Sequence, residues 1–398
     1  MKIAFDTFGC RLNRSEALDL EARLLSAGHS RVETHEEAEV IVVRGCSVTR
    51  RAQTDCERHI AHLRRKYPFK RVYVQGCLPK TFLTPLPPAL FGSGDASELT
   101  VNVRTARAYL KVQDGCNGRC TFCIVPEFRG KSVSVPFASV LDRARRFIAA
   151  GYRELVVTGC NLSLYASEGR RLAELLDALC ALDSGCRVRL GSVEPGDCAH
   201  EVLGVMERRE NLCRFLHLPI QSMSFRMLSA MGRPYRPQAV KRLLDEVTRR
   251  FPAIGLGADL MTGFPGEAEL DHFASRQLLH DYPFSNLHVF PYSERPGTAA
   301  AGFGGAVPPA VRSRRAHELA ELGDSRRAEF AASFVGKVVE AVIEDEDECS
   351  GWTGEYLRIM EYRTGPGACA KVPRKSLQRF RVVRSEGRHL LGVLLGGR

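Results

Sequence analysis

Short β-branched runs near the amino terminus, KIAF, VIVV and RVYV, alternate with segments whose apolar residues recur at helical spacing. Leu18, Ala22 and Leu25 form one such stripe, and Gly28 ends it. Asn13, with Glu16 three residues on, predicts the start of that helix as a capping box. A basic helical stretch covers 53–66. Strand and helix alternate through residue 95, which predicts a small doubly wound parallel sheet. The PLPP run at 85–88 and the glycines at 92 and 94 read as a linker.

From about residue 106 a longer βα series begins, with predicted strands at 109–112, 154–158, 188–191, 215–220, 255–261 and 286–290. Helical segments such as 136–150 and 237–250 lie between them. Six βα units in series predict a partial parallel barrel with its site at the strand carboxyl ends. A charged helix is expected over 308–333, and beyond Phe334 the period changes to two, between glycine-rich turns. The predicted class is therefore α/β in three domains. These are a doubly wound parallel sheet (1–95), a partial (βα)6 barrel (104–330) and a small OB-like β-barrel (334–398).

Composition narrows the setting. The chain has 398 residues, 44% of them hydrophobic, and no apolar run of membrane-spanning length. The start, MKIAFDTFGC, has no small-residue cleavage site, so a cytoplasmic protein with no membrane association is expected. Fourteen cysteines in a long chain without a secretion signal favour metal binding over disulfides. A net charge of +11 suits a polyanionic partner.

The cysteines fall into two groups. Three predicted strands end in Gly-Cys and deliver Cys10, Cys46 and Cys77. Parallel strands align their carboxyl ends along one edge, so thiols distant in sequence converge there. The second group, Cys116, Cys120 and Cys123, shares one loop, with Phe122 just before the last thiol. Three thiolates per site point to two iron–sulfur clusters, each leaving one iron free for chemistry. A structural zinc site at the loop would want a fourth protein ligand, and no cysteine or histidine follows closely behind Cys123. Buried core thiols are the alternative for the Gly-Cys set. Three thiols at matched strand ends, each after a glycine that lets backbone approach a bulky cluster, favour ligation. The other cysteines and the eleven histidines show no ligand spacing.

With these motifs in place, the chain resembles the methylthiotransferase family over nearly its whole length. The resemblance is carried by the Gly-Cys strand ends and by GCNGRCTFCIVPEFRGK, LGSVEPGD, FLHLPIQS, DLMTGFPGE and LHVFPYSERPGTAA. It implies that Cys116, Cys120 and Cys123 hold the [4Fe–4S] cluster of a radical S-adenosylmethionine (SAM) site, from which a 5′-deoxyadenosyl radical arises. It implies that Cys10, Cys46 and Cys77 hold an auxiliary [4Fe–4S] cluster whose free iron carries the sulfur to be transferred. One SAM would methylate that sulfur, and a second would yield the radical that activates C2 of an adenine. By position, Phe122, Gly159, Asn161, Ser192, Glu194 and Gln221 would contact SAM. The polar residues among them read equally as strand-end caps.

The carboxy-terminal barrel resembles a TRAM domain, a nucleic-acid-binding module. Its segment GWTGEYLRI is similar to the branch that acts on threonylcarbamoyladenosine in tRNA. The implied product is the 2-methylthio derivative of that base, next to the anticodon. The implied partners are the tRNA anticodon stem-loop and an electron donor such as flavodoxin or ferredoxin. Lys371, Arg374 and Lys375 are the RNA-contact candidates, sharing the barrel with Trp352, Tyr356 and Phe380 as an expected stacking platform. The basic residues of 50–71 read as a solvated face or a second RNA surface. The chain departs from the family pattern at Arg44-Gly45, Cys160, Met223 and Phe225, and the segment between Cys77 and Cys116 is short. Rival readings are same-family enzymes acting on isopentenyladenosine in tRNA or on a ribosomal-protein aspartate. Another is a non-catalytic iron–sulfur protein that binds RNA or senses redox state.

Overall fold

The computed structural model describes residues 1–91, 105–362 and 372–397. The linker glycines, the expected boundaries at 95 and 104, Lys371 and Cys369 lie outside the described residues. In the amino-terminal part, β1 (Lys2–Thr7), β2 (Ser30–Arg31), β3 (Val40–Cys46) and β4 (Arg71–Cys77) form a parallel sheet in the order β2-β1-β3-β4. Helix α1 (Arg11–Ser26) follows β1, and α2 (Arg50–Lys66) follows β3. The VIVV run is apolar at every position because β3 is covered on both faces. Val40 and Val42 pack with Leu20 and Leu24 of α1, whereas Ile41 and Val43 pack with Ile60 and Leu63 of α2.

The expected capping box does not form. Cys10 is the N-cap of α1. Asn13 and Glu16 sit inside the helix, where tertiary contacts described below engage both side chains. The helix also leans on the next unit, where Ser15 Oγ donates to the Tyr109 carbonyl at 3.2 Å.

The central part begins with β5 (Ala108–Lys111), a small hairpin of β6 (Gln113–Asp114) and β7 (Val133–Ser134), and the short helix α3 (Val125–Arg129) between them. It continues through α4 (Phe137–Ala149), β8 (Glu154–Thr158), the hairpin β9 (Ala166–Ser167) and β10 (Arg170–Arg171), α5 (Leu172–Leu182) and β11 (Arg187–Leu190). Then come α6 (Asp197–Arg208), β12 (Phe215–Gln221), α7 (Phe225–Ala230), α8 (Pro237–Arg250), β13 (Gly255–Thr262), α9 (Glu269–Asp281) and β14 (Phe284–Pro291). Strands β5, β8 and β11 pair in parallel, as do β12, β13 and β14. Parallel bridges from Val188 to Leu212 and from Ser192 to His217 join the two sets into one curved six-strand wall. Its outer face and the helices bury a continuous apolar core.

Helix α10 (Pro309–Ala332) leads into β15 (Val338–Asp345), β16 (Ser350–Thr353), β17 (Arg358–Glu361), β18 (Leu377–Glu386) and β19 (His389–Gly397). These close into a barrel in the order β15-β16-β17-β19-β18, the OB-like arrangement expected from the period-two pattern. No helix among the described residues is long and apolar enough to cross a membrane.

Candidate functional site

Cys46 and Cys77 end β3 and β4 and are register partners across the ladder. Cys10 joins them from the turn beyond β1, as the N-cap residue of α1. Two of the glycines before these thiols are required by close packing between strand ends. Gly9 stands at φ +96, and a Cβ there would lie 2.7 Å from the Cys46 Cβ. Gly76 stands at φ +113, and a Cβ there would lie 2.4 Å from the Gly45 carbonyl oxygen. Their bareness lets the strand ends pack on one another, which is what gathers the thiols. Burial pushes the Cys46 and Cys77 thiols up, and Cys10 adds to both shifts. Metal coordination stabilises the thiolate form that burial disfavours, so the donor set fits a cluster.

The second group hangs from the β6–β7 hairpin. Cys116 N donates to the Gly130 carbonyl at 3.1 Å, and Thr121 N donates to that of Met231 at 3.0 Å. Gly118 N donates to Cys116 Sγ at 3.2 Å, and Arg233 Nη1 to Cys120 Sγ at 3.1 Å. The Cys123 thiol is pushed up to about 11, first by burial and then by Cys120, Cys116 and Cys77. Helix α3, which begins two residues past Cys123, packs against β4, which ends in Cys77, so the two groups are neighbours.

A charged network joins them. Arg129, six residues past Cys123, donates to Glu16 Oε1 and Asp114 Oδ1, both at 3.0 Å, and to Asn13 Oδ1 at 3.2 Å. Lys111 Nζ lies 2.5 Å from Glu16 Oε1 and from Asp114 Oδ2. Arg44, one of the departures from the family pattern, pairs with Glu16 as well. Glu16 therefore serves three cations instead of capping a helix. Burial opposes its ionisation, but Arg129, Arg44 and Lys111 outweigh that and hold the carboxyl below its ordinary value. Sequence reasoning missed this network, because its members lie on four separate segments.

The SAM candidates line the carboxyl ends of the central strands, but not alike. Gln221 is buried at φ +68, and its Oε1 has no hydrogen-bond partner. This strained backbone and unpaired acceptor set Gln221 apart from the other candidates. Asn161 accepts from Ser163 N at 3.1 Å and places Nδ2 3.9 Å from Cys116 Sγ. Gly159 lies against Gln113, whose Oε1 would be 2.9 Å from an added Cβ. Ser192 is exposed beside His217. Glu194 is engaged by Arg233. Phe122 stands edge-on to Phe264 in an apolar patch with Met227, Met231 and Met261. Arg233, which touches both Cys120 and Glu194, was absent from the sequence-derived set.

Inside the strand wall, Nε2 of His217 and Nδ1 of His288 lie 2.9 and 3.1 Å from the same Asp259 oxygen. Burial opposes ionisation of Asp259, yet the two imidazoles hold it well below the usual carboxylate range. The histidines lie on different strands, so spacing along the chain did not reveal them.

At the amino ends of the strands, opposite the cysteine loop, the carboxy-terminal barrel is docked. Glu154 is fully buried between Arg187 at 2.5 Å, Arg189 at 2.7 Å and Arg107 at 3.9 Å. Burial opposes its charge, but these guanidiniums hold its carboxyl at about 2. Arg187 and Arg189 also donate to the carbonyls of Trp352 and Thr353 at 2.9 and 2.7 Å. The expected stacking platform is corrected here. Phe380 lies in the barrel core. Trp352 and Tyr356 stack on each other with centroids 4.7 Å apart, and Tyr356 packs on Phe215 at 4.8 Å. Lys375 turns its amine onto the Tyr152 ring at 4.0 Å, while Arg374 is exposed. On α2, Arg51, Arg58 and Arg65 share one exposed stripe. Cys56, Cys180, Cys186, Cys198, Cys213 and Cys349 are buried, as expected of core thiols, and Cys160 donates to Asp114 at 3.3 Å.

Residues 110–275 match the radical SAM superfamily, and residues 2–86 match the uncharacterized protein family UPF0004. The chain is 32% identical to a tRNA-2-methylthio-N(6)-dimethylallyladenosine synthase of Chlorobium limicola, over 93% of this chain and 94% of that protein. It is 29% identical to the threonylcarbamoyladenosine tRNA methylthiotransferase MtaB of Bacillus subtilis, over 90% of each. The radical S-adenosylmethionine methyltransferase TsrM of Kitasatospora setae, solved with cobalamin and a [4Fe–4S] cluster, shares the fold. The TM-score is 0.54 at 13% identity, over 75% of this chain and 76% of that one.

Proposed function

Because the chain belongs to the radical-SAM tRNA methylthiotransferase family, we propose that it converts N6-threonylcarbamoyladenosine next to the tRNA anticodon to its 2-methylthio derivative. It is a radical-SAM enzyme of tRNA modification, with two [4Fe–4S] clusters and SAM as cofactors. The observation that carries the reading is the adjacency of the two cysteine groups, with α3, just past Cys123, packed on β4, which ends in Cys77, and Arg129 of α3 bonded to Glu16 and Asn13 of α1. Cys10, Cys46 and Cys77 would hold the auxiliary cluster, and Cys116, Cys120 and Cys123 the SAM-binding one. When bound, these groups supply radical chemistry together with the sulfur and methyl to be transferred. The chain positions them. Gln221 offers its free Oε1 to a hydroxyl, and Arg233 presents a cation beside Cys120. The patch of Met227, Met231, Met261 and Phe264 excludes water beside Phe122.

Similarity to MtaB along 90% of the chain and the segment around Tyr356 support the threonylcarbamoyl substrate. Similarity to the Chlorobium protein favours a second reading, N6-dimethylallyladenosine. Exposed Arg374, with Lys371 and Lys375, would contact the anticodon stem-loop, and an electron donor such as flavodoxin or ferredoxin would reduce the clusters. Nucleoside mass spectrometry of tRNA from cells with and without the gene tests the proposal. Loss of 2-methylthio-threonylcarbamoyladenosine is expected. Its persistence alongside loss of the dimethylallyl product would replace the first reading by the second.

A further inference from the structure

Arg11 directly follows Cys10 and opens α1. Its guanidinium crosses to the carboxy-terminal barrel and lies 4.9 Å from the centroid of the Tyr356 ring. Many cations of this region have carboxylate partners. Arg44, Lys111 and Arg129 share Glu16, and Arg107, Arg187 and Arg189 share Glu154. Arg233 pairs with Glu194. Arg11 is only partly exposed, and it has no carboxylate partner among the described residues. A cation drawn partly out of water without a counter-charge is costly, and a bound anion offsets that cost.

The ring beneath it is held in place. Tyr356 stands at φ +68, a strained conformation for a residue other than glycine, between Trp352 and Phe215. A clamped aromatic of the docked barrel therefore meets a cation whose backbone directly follows Cys10, at a junction of all three parts of the chain.

We infer that Arg11, braced on Tyr356, recognises a carboxylate on the substituent of the substrate adenine and so sets the substrate class. The inference rests on the threonylcarbamoyl reading above. That substituent carries a carboxylate, whereas a dimethylallyl group is a neutral hydrocarbon. Arg11 attracts the first and stays without a counter-charge against the second, so attraction and penalty both favour the anionic base.

The test uses reconstituted enzyme and two anticodon stem-loop RNAs, one with N6-threonylcarbamoyladenosine and one with N6-dimethylallyladenosine. Kd for each is read by fluorescence anisotropy, and kcat/KM by product mass spectrometry. Arg11→Gln should shift the Kd ratio toward the dimethylallyl RNA by about tenfold or more. Arg11→Lys should restore part of the preference. Arg11→Met, which keeps length without charge, serves as the second neutral variant should Arg11→Gln fail to fold. If Arg11 merely clasps the barrel, both RNAs weaken alike and the ratio stays put, which overturns the inference. A parent enzyme that makes no product from the threonylcarbamoyl RNA overturns the substrate reading and this inference together. Parent activity on that RNA with an unchanged ratio in the neutral variants overturns the inference alone.

Discussion

The side-chain amide of Asn13 donates to the carbonyl of Gly45 at 2.6 Å. It also donates to the Phe8 carbonyl at 2.7 Å. One buried amide thus ties the turn after β1 to the end of β3, and with them Cys10 to Cys46. These two hydrogen bonds hold the thiol-bearing turns together.

Asn13→Ala should loosen the auxiliary site. It leaves two carbonyls without their donor, at a cost of about 1–3 kcal/mol for a buried group. Iron bound per chain should fall on anaerobic reconstitution, while the Cys116 loop keeps its cluster. Full iron occupancy at both sites would count against this role.

The combined alanine variant of Cys10, Cys46 and Cys77 should bind about half the iron of the parent, because each cluster needs its own thiolates. Reduced protein should still form 5′-deoxyadenosine from SAM but no methylthio product. Cys123→Ala should lose both activities. Methylthiolation by the triple variant would defeat the two-cluster reading, provided circular dichroism shows an intact fold.

Gln221→Leu removes the orphaned acceptor at nearly constant volume. SAM affinity should weaken by about tenfold, the worth of one hydrogen bond in a buried site. Calorimetric titration of reconstituted protein checks this, and unchanged affinity would place SAM elsewhere.

Glu154→Gln should destabilise the docking of the barrel. It leaves three arginines around a neutral amide, and breaking a buried ion pair costs about 3–5 kcal/mol. Limited proteolysis near 334 and the urea midpoint should both report the loss. The parent has a matching acid sensitivity. The folded pKa of Glu154, about 2, lies below its ordinary 4.5, so its contribution is complete above about 4.5 and is lost as pH falls through about 2. A variant as stable as the parent at neutral pH would show that the network does not hold the barrel. The same network means that deleting residues 334–398 exposes buried charge. Charge reversal at Arg374 is therefore the cleaner probe of RNA contact by the barrel.

The kinds of element and the grouping of the thiols were legible in the chain, because both are local. Hydrophobic period separates strand from helix within a few residues, as in VIVV and in the helix of 237–250. Three cysteines within eight positions also declare a shared loop. The Gly-Cys ends of β3 and β4 were legible for a related reason, since parallel strands place like ends on one edge, whereas β1 stops at Thr7 and Cys10 caps α1 instead of ending the strand. Tertiary structure alone decided what the polar residues do. Asn13 and Glu16 have the pattern of a capping box, yet buried carbonyls and three cations compete for them more strongly than a helix end does. Phe380 and Tyr356 both read as stacking aromatics, but barrel closure buries one and docking clamps the other. The pairing of His217 with His288 through Asp259, and the meeting of Arg11 with Tyr356, join residues far apart in sequence. Side-chain pattern is a property of neighbours along the chain, whereas these contacts depend on how whole units dock.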